Sequence, residues 1–262
     1  MPNIHPTALV DKKAHIAEDV TIGPFSIIEP DVVIGDGTSI ASHVLLANGA
    51  RIGANCNIHK GTVVATVPQD LKFKGEASLL IIDDGTTVRE FCTLNRGTHE
   101  SGQSRVGKDC LLMAYAHVAH DCVVGDHAIL ANGVQLGGHV HIEEWAIIGG
   151  FTPVHQFCRV GCHAMVGGGF RVVQDVPPYI IVAGEPLQFA GLNSIGLRRR
   201  GFVPATISLL KKAYKLIYRS HLNTAQALQR IKDEIEPISE IQLVIDFIEK
   251  SDRGIIKKSG NQ

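Results

Sequence analysis

The stretch Thr21–Ile40, "TIGPFSIIEPDVVIGDGTSI", carries a branched aliphatic residue at every sixth position. The residues in this register are Ile22, Ile28, Ile34 and Ile40. An α-helix repeats every 3.6 residues and a plain strand every two, so neither keeps this phase. A period of six indicates short strands that are separated by regularly spaced turns.

The same register runs along most of the chain, from Ile4 to Val172, and only Asp70, Glu76 and Glu100 interrupt it. The residue two positions before each aliphatic is often small, so both positions are expected to point inward. Examples of the small residues are Ala8, Ala14, Ser26, Thr38, Ala50, Thr62, Ala116, Ala128, Ala146 and Ala164. Hexapeptide repeats of this kind are typical of an all-β parallel β-helix, in which three repeats make one triangular coil of about 18 residues.

The chain divides into two predicted parts. The β-helix is expected to cover residues 1–186, with an excursion loop near 65–81 where the repeat is interrupted. After Pro186 the period disappears, and three stretches with one apolar helix face follow, beginning at Pro204, Asn223 and Ser239. The sequence therefore predicts a small α-helical C-terminal domain over residues 187–262.

Charge and composition favour a small-molecule enzyme in the cytoplasm. The formal charge is −1 and the pI is near 6.9, so no global field favours nucleic acid or an anionic membrane. The start of the chain lacks a basic segment that leads into an apolar run, and no apolar window is long enough to span a membrane.

The cysteines are expected to pack in the core. Five of them, Cys56, Cys92, Cys110, Cys122 and Cys158, fall on the small inward position of the repeat, and only Cys162 lies elsewhere. Free cysteine behaves as a small hydrophobe, and no CxxC pair is present. We therefore expect neither disulfides nor a cysteine zinc site.

Stacking of coils brings distant polar residues together. Residues one coil apart become neighbours at strand spacing, about 4.8 Å, so Asp121 should lie beside His139 and His120 beside Gly138. The residues that converge in this way are His120, Asp121, Gly138, His139, His155 and Gln156. A carboxylate beside an imidazole can orient the ring and stabilise the imidazolium, which makes His120 a candidate general base.

Two other interpretations stay open on the residues alone. His117, His120 and His139 could supply three zinc ligands, as in trimeric β-helix proteins similar to gamma-class carbonic anhydrases, although that family's ligand spacing is not reproduced. A non-catalytic β-helix scaffold would explain the repeat equally well. The scaffold leaves the stack of Asp121 and His139 unexplained, so general-base chemistry is favoured.

Motifs along the whole chain resemble those of the UDP-N-acetylglucosamine O-acyltransferases that begin lipid A synthesis. The motifs, in chain order, are "PQDLKFKGE", "AHVAHDC", "GGHV", "VHQF", "QDVPPY", "RRRGF" and "AYKLIYRS". The resemblance implies a left-handed β-helix and a homotrimer with active sites in clefts between neighbouring β-helices. It implies transfer of a 3-hydroxyacyl group from acyl carrier protein to the glucosamine 3-hydroxyl of UDP-N-acetylglucosamine, with no cofactor beyond the carrier's phosphopantetheine.

The resemblance also implies roles for individual residues. His120 matches the general base, Asp121 its orienting partner, and Gly138 the backbone N–H donor to the oxyanion. Positions that match the family's substrate-binding residues are Gln69, Asp70, Lys72, His117, His139, His155, Gln156, Gly168, Asn193, Arg199 and Arg200. The first three of these would reach the substrate from a neighbouring subunit.

Two departures from the family pattern bear on specificity. Gly168 matches the position that gauges acyl length, and a glycine there suggests a longer chain, roughly the fourteen-carbon class. Phe170 stands at a position that is usually small and could shorten the tunnel. Ile195 stands where some members carry a glutamate, which leaves open whether the acceptor is a hydroxyl or a 3-amino group.

Overall fold

The six-residue repeat folds into a left-handed parallel β-helix that is followed by short helices, which confirms the predicted fold class. The computed structural model describes residues 1–257. Residues 258–262 of the predicted C-terminal domain lie outside this range.

The strands are short, and most contain two residues. Up to the excursion they are β1 (Asn3–Ile4), β2 (Leu9–Val10), β3 (His15–Ile16), β4 (Thr21–Ile22), β5 (Ile27–Ile28), β6 (Val33–Ile34), β7 (Ser39–Ile40), β8 (Leu45–Leu46), β9 (Ala50–Ile52), β10 (Asn57–Ile58) and β11 (Val63–Thr66). They continue as β12 (Leu79–Ile82), β13 (Thr87–Val88), β14 (Thr93–Asn95), β15 (Gln103–Val106), β16 (Leu111–Leu112), β17 (His117–Val118), β18 (Val123–Val124), β19 (Ile129–Leu130), β20 (Gln135–Leu136), β21 (His141–Ile142), β22 (Ile147–Ile148), β23 (Pro153–Val154), β24 (Arg159–Val160), β25 (Met165–Val166), β26 (Ile180–Ala183) and β27 (Gln188–Leu192).

Every third strand joins the same sheet, so the coil has three faces. One face runs through β1, β4 and β7, the second through β2, β5 and β8, and the third through β3, β6 and β9. In a regular coil Thr21 pairs with Ser39, and Ile22 with Ile40. Each coil therefore hydrogen-bonds to the next in parallel register, and the aliphatic residues stack inside the coil.

Turn residues in the left-handed conformation form the corners of the coil. At one corner the residues with positive φ are Asp121 (59°), His139 (59°) and Phe157 (65°), one in each successive coil. Residues other than glycine rarely adopt a positive φ, so the pairing of the stacked coils must hold the backbone in this conformation. The corner therefore carries a column of functional side chains and rings.

Two insertions interrupt the regular coils. The predicted excursion near 65–81 corresponds to the segment between β11 and β12, and the chain then returns to register because Ile82 pairs with Ile52. A second insertion separates β14 from β15, where the sequence showed only Glu100 as a break in the repeat. Val106 pairs with Ile82, so the phase also survives this loop.

The chain ends in helices that pack on the last coils. Strand β27 runs antiparallel to β26, so sheet pairing continues past residue 186. The helices are α1 (Ser194–Arg199), α2 (Pro204–Tyr218), α3 (Thr224–Glu234) and α4 (Ser239–Glu249). The three helices expected from the apolar spacing are α2, α3 and α4, whereas the short α1 had no such signal. None of the helices within residues 1–257 combines the length and apolar character that crossing a bilayer requires.

All six cysteines are buried and unpaired: the repeat predicts burial for five of them, and Cys162, which lies outside that register, is buried as well. Burial raises the pKa of Cys122 and Cys162 to about 12 and that of Cys92, Cys110 and Cys158 to about 11. The thiols are therefore neutral at physiological pH and fill space in the core.

The neighbouring residues Ile27 and Ile28 test the inward register. Ile28 is 1% exposed and Ile27 is 44% exposed, so Ile28→Ala leaves a cavity in the coil and Ile27→Ala does not. We expect Ile28→Ala to lower the free energy of unfolding by about 2–5 kcal/mol, and the matched Ile27→Ala by less than about 1 kcal/mol. Urea denaturation measures both values, and equal losses would contradict the register.

Candidate active site

His120 and Asp121 form a hydrogen-bonded pair at a corner of the coil. His120 Nδ1 lies 2.8 Å from Asp121 Oδ2, and the two side chains are 15% and 0% exposed. Side chains of adjacent strand residues point to opposite faces. Here the left-handed turn at Asp121 removes that constraint and lets both side chains meet.

The second insertion holds the Asp121 carboxylate. Its oxygens accept hydrogen bonds from Thr98 N at 2.9 Å, from Thr98 Oγ1 at 2.8 Å and from the Ser101 hydroxyl. Burial by itself raises the pKa of Asp121, but the bonds from Ser101, His120 and Thr98 outweigh burial and lower this pKa to about 2. Asp121 is therefore ionised throughout the physiological range.

The ionised carboxylate fixes the tautomer of His120. A carboxylate only accepts, so His120 Nδ1 carries the proton that is donated to Asp121. The lone pair of neutral His120 then resides on Nε2, which has no hydrogen-bond partner among residues 1–257. This is the arrangement that a general base requires.

Gly138 lies against the imidazole from the next coil. A Cβ at Gly138 would stand 2.5 Å from His120 Cε1 and 2.7 Å from Nε2, so only glycine fits beside this ring. At the same turn position in other coils, the N–H groups of Ala54 and Lys108 donate to aspartate oxygens at 2.8 Å. The Gly138 N–H has no such acceptor within the described chain, so it can donate to a ligand.

His139, one coil further along the chain, lies beside the Asp121 carboxylate. Its Nε2 lies 3.6 Å from Asp121 Oδ2 and 3.4 Å from Glu100 Oε2. Its ring stacks on Phe157 at 4.5 Å and meets the His120 ring edge-on at 5.2 Å. The predicted stacking of Asp121 with His139 and of His120 with Gly138 is thus present.

The geometry does not favour a zinc site. His120, Asp121 and His139 are close enough to form a ligand set, but His117 is not part of it. His117 Nδ1 lies 2.7 Å from Thr93 Oγ1, and burial lowers the pKa of His117. In tetrahedral zinc, bonds of 2.0–2.2 Å separate ligand atoms by roughly 3.3–3.5 Å, whereas His120 Nδ1 and Asp121 Oδ2 lie at hydrogen-bond distance.

The remaining predicted residues make no hydrogen bond to His120 or Asp121 within residues 1–257. His155 and Gln156 are exposed on the coil beyond Gly138, and His155 Nδ1 lies 3.1 Å from Gln156 O. In the excursion, Asp70 Oδ1 accepts a hydrogen bond from Lys72 N at 2.9 Å, while Gln69 and Lys72 are exposed. Within one chain the excursion residues make no hydrogen bond to His120 or Asp121.

The predicted substrate-binding residues Asn193, Arg199 and Arg200 lie at the two ends of helix α1. Asn193 is buried, donates to His163 O at 2.9 Å and accepts from Gly196 N at 3.2 Å, so it caps the helix. Arg199 is exposed, and Arg200 lies over the Trp145 ring at 5.0 Å.

The Phe170 ring lies beside Gly167 and not beside Gly168. A Cβ at Gly167 would lie 3.1 Å from the Phe170 ring, whereas the nearest atom to one at Gly168 is Gly150 O, also at 3.1 Å. The ring therefore packs on Gly167 and against the core, not over Gly168. Ile195, the other departure, is exposed.

Thr98 and Ser101 are the functional residues that sequence reasoning missed. Both belong to the second insertion, and both donate to Asp121. The only signal was the loss of the repeat at Glu100, which marks this loop as an interruption next to the pair.

Comparisons with known proteins agree along the whole chain. A family model described as UDP-N-acetylglucosamine O-acyltransferase, domain 2, matches residues 175–256, and a bacterial transferase hexapeptide model matches residues 13–48 and 103–138. An acyl-[acyl-carrier-protein]--UDP-N-acetylglucosamine O-acyltransferase of Thiobacillus denitrificans is 45% identical over 98% of this chain and 100% of its own length.

Solved structures give the same result. LpxA from Acinetobacter baumannii is 46% identical, with a TM-score of 0.94 over 97% of this chain and 99% of its own. LpxA of Bacteroides fragilis, a UDP-N-acetylglucosamine acyltransferase, is 44% identical, with a TM-score of 0.95 over the same shares of the two chains.

The low pKa of Asp121 predicts a pH-dependent contribution to stability. The folded-state pKa is about 2 and the unfolded value about 3.9, so the contribution is complete above about pH 5 and is lost as the pH falls toward 2. We expect the difference in unfolding free energy between wild type and Asp121→Asn to shrink by about 2–3 kcal/mol over that window. Urea denaturation at graded pH measures it, and a constant difference would contradict the ionised state.

Proposed function

Because this chain belongs to the UDP-N-acetylglucosamine O-acyltransferase family, we propose that the pair of His120 and Asp121 carries the family's reaction. The chain is an acyltransferase that moves an acyl group from acyl carrier protein to UDP-N-acetylglucosamine, the first step of lipid A biosynthesis. The observation that carries the proposal is the 2.8 Å contact between His120 Nδ1 and the ionised carboxylate, which leaves Nε2 as a free base.

His120 activates the acceptor. Nε2 removes the proton from the glucosamine 3-hydroxyl while the oxygen attacks the thioester carbonyl of the 3-hydroxyacyl group. The resulting imidazolium donates through Nδ1 to Asp121, whose negative charge stabilises it. The attack is direct, so no acyl group is bound to the protein at any step.

Gly138 stabilises the tetrahedral intermediate. Its free N–H donates to the oxygen that becomes negative, and the absence of a side chain lets the thioester approach the base. The carbon–sulfur bond then breaks, and the imidazolium returns its proton to the leaving phosphopantetheine thiolate. Base catalysis contributes about a hundredfold to ten-thousandfold and one oxyanion donor about a hundredfold or more, so positioning supplies the remainder.

The surrounding residues bind the two substrates. His117, His139, His155 and Gln156 match the family positions that bind the sugar nucleotide or the acyl chain, and Gly168 matches the position that gauges acyl length. Asn193, Arg199 and Arg200 serve the nucleotide phosphates and the pantetheine arm, for which the planar guanidinium is suited. The hydroxyl of UDP-N-acetylglucosamine is the acceptor, despite the isoleucine at position 195.

The active unit is a homotrimer with a site in each cleft between neighbouring β-helices. Gln69, Asp70 and Lys72 would contact the substrate in the neighbour's site, and the exposed side chains of Gln69 and Lys72 are accessible for such a contact. Exposed Lys211, Lys212 and Lys215 on α2 offer a basic surface to the acidic carrier protein.

The reaction needs no resident metal or further cofactor, because the base, the oxyanion donor and the thioester supply its chemistry. We place the protein in the cytoplasm, where charged carrier-protein thioesters and nucleotide sugars are both soluble substrates.

Loss of the base should abolish turnover while substrate binding persists. We expect His120→Ala, purified free of metal, to transfer 3-hydroxyacyl groups about a hundredfold to ten-thousandfold more slowly than wild type, with UDP-N-acetylglucosamine still binding. His15→Ala, an exposed histidine in β3, is the matched control and should keep full activity. Wild type that is inactive until zinc is added, or an active His120→Ala, would show that the mechanism is wrong.

Graded 3-hydroxyacyl carrier proteins test the acyl site. We expect wild type to prefer roughly the fourteen-carbon class and Gly168→Leu to prefer shorter chains, because a leucine side chain takes up room that glycine leaves to the acyl chain. Phe170→Leu should leave the preference unchanged, since the ring packs on Gly167. If Phe170→Leu lengthens the preferred chain and Gly168→Leu changes nothing, Phe170 sets the length instead.

A further inference from the structure

Arg200 is a half-buried cation without an acidic partner. No carboxylate within residues 1–257 forms an ion pair with it. Of the other partly buried arginines there, Arg51 and Arg159 have an ion pair, whereas Arg96 and Arg253 donate to backbone carbonyl oxygens. Burial lowers the pKa of Arg200, so the surroundings disfavour the charge and no neighbouring acid compensates for it. Such a charge is suited to an anionic ligand.

Two neutral rings hold the guanidinium instead. Arg200 Cζ lies 5.0 Å from the centre of the Trp145 ring, and Arg200 Nη1 lies 3.3 Å from His163 Nδ1. Burial and the charge of Arg200 lower the pKa of His163 to about 4, so this ring is neutral at physiological pH and accepts through Nδ1. One N–H of the guanidinium is used in this way, and the others stay free for phosphate oxygens.

Trp145 and His163 belong to a column of stacked rings at a second corner of the coil. Trp145 and His163 occupy left-handed turn positions in successive coils, with ring planes only 4° apart. Tyr179 stacks on His163 at 5.6 Å, and Phe202 meets the same ring edge-on at 5.0 Å. Asn193 donates to the backbone oxygen of His163 and caps the helix that precedes Arg200, so this helix and the Arg200 side chain both contact His163.

We propose that Trp145 and His163 are positioning residues that present Arg200, with its charge uncompensated, to the diphosphate of the nucleotide substrate. The inference rests on the proposed function, which assigns Arg200 to the phosphates. An acidic partner would orient the guanidinium equally well but would also cancel its charge. A π face and a neutral nitrogen orient it and leave the charge for the ligand.

Calorimetric binding of UDP and steady-state kinetics with UDP-N-acetylglucosamine test this. We expect Trp145→Leu and His163→Phe to weaken UDP binding by about 2- to 30-fold and to raise KM by the same factor, with kcat within about twofold of wild type. Trp145→Phe keeps a π face and should restore most of the affinity. His43→Ala, which removes a ring contact with Phe25 at another corner, is the control and should bind as wild type.

A double-mutant cycle separates positioning from general loss of structure. If the rings act through Arg200, the variant that combines Trp145→Leu with Arg200→Ala binds UDP no more weakly than Arg200→Ala alone. The inference is wrong if the losses of UDP affinity in the two single variants add up in the double variant. It is also wrong if both ring variants bind UDP as wild type does while Arg200→Ala binds weakly. If Arg200→Ala binds UDP as tightly as wild type, Arg200 does not bind the nucleotide and the inference is wrong. The proposed base is tested separately, by the activity of His120→Ala.

Discussion

Parallel hydrogen bonding between successive coils is the constraint on which the rest of the structure depends. Because each coil pairs with the next in register, the aliphatic residues of the repeat stack in the core and the following turn residues stack outside it. Val118, Leu136 and Val154 occupy the same core position, which places His120, Gly138 and Gln156 in one column and Asp121, His139 and Phe157 in the next. The candidate active site is therefore a consequence of the core register, and a slip of one residue would separate His120 from Gly138, the proposed base from the proposed oxyanion donor.

The regular coil supplies the positions of the pair, but an irregular loop supplies its electrostatics. Asp121 on a bare corner would be a buried carboxylate with one imidazole partner, and burial would raise its pKa. The second insertion brings Thr98 and Ser101 onto the same carboxylate, and their hydrogen bonds keep it ionised. The interruption of the repeat thus gives the adjacent His120 and Asp121 a defined tautomer, which the proposed general-base role requires.

The sequence could predict the features of the structure that follow from its six-residue repeat. The repeat predicts the β-helix, the inward cysteines and the stacking of His120 on Gly138, since each depends only on counting residues along a coil. The donors Thr98 and Ser101 could not be found in this way, because the conformation of an inserted loop has no period. Helix α1 is too short for an apolar face to show, and its cap, Asn193, had suggested only a ligand role. The direction of the Phe170 ring is likewise a matter of packing, which composition does not determine.

The two charges that matter most in this structure are both held by neutral groups. Hydroxyl and backbone N–H donors hold the Asp121 carboxylate, and a tryptophan face and a neutral imidazole hold the Arg200 guanidinium. A salt bridge would have stabilised either charge, but it would have reduced the field that the charge exerts on a third group. In the proposed mechanism Asp121 keeps its full charge for the imidazolium that proton transfer would form, and in the proposed nucleotide site Arg200 keeps its own charge for the diphosphate. The corner that carries Asp121 and the corner beside α1 that carries His163 therefore share one feature. At both, uncharged groups orient a buried charge without neutralising it.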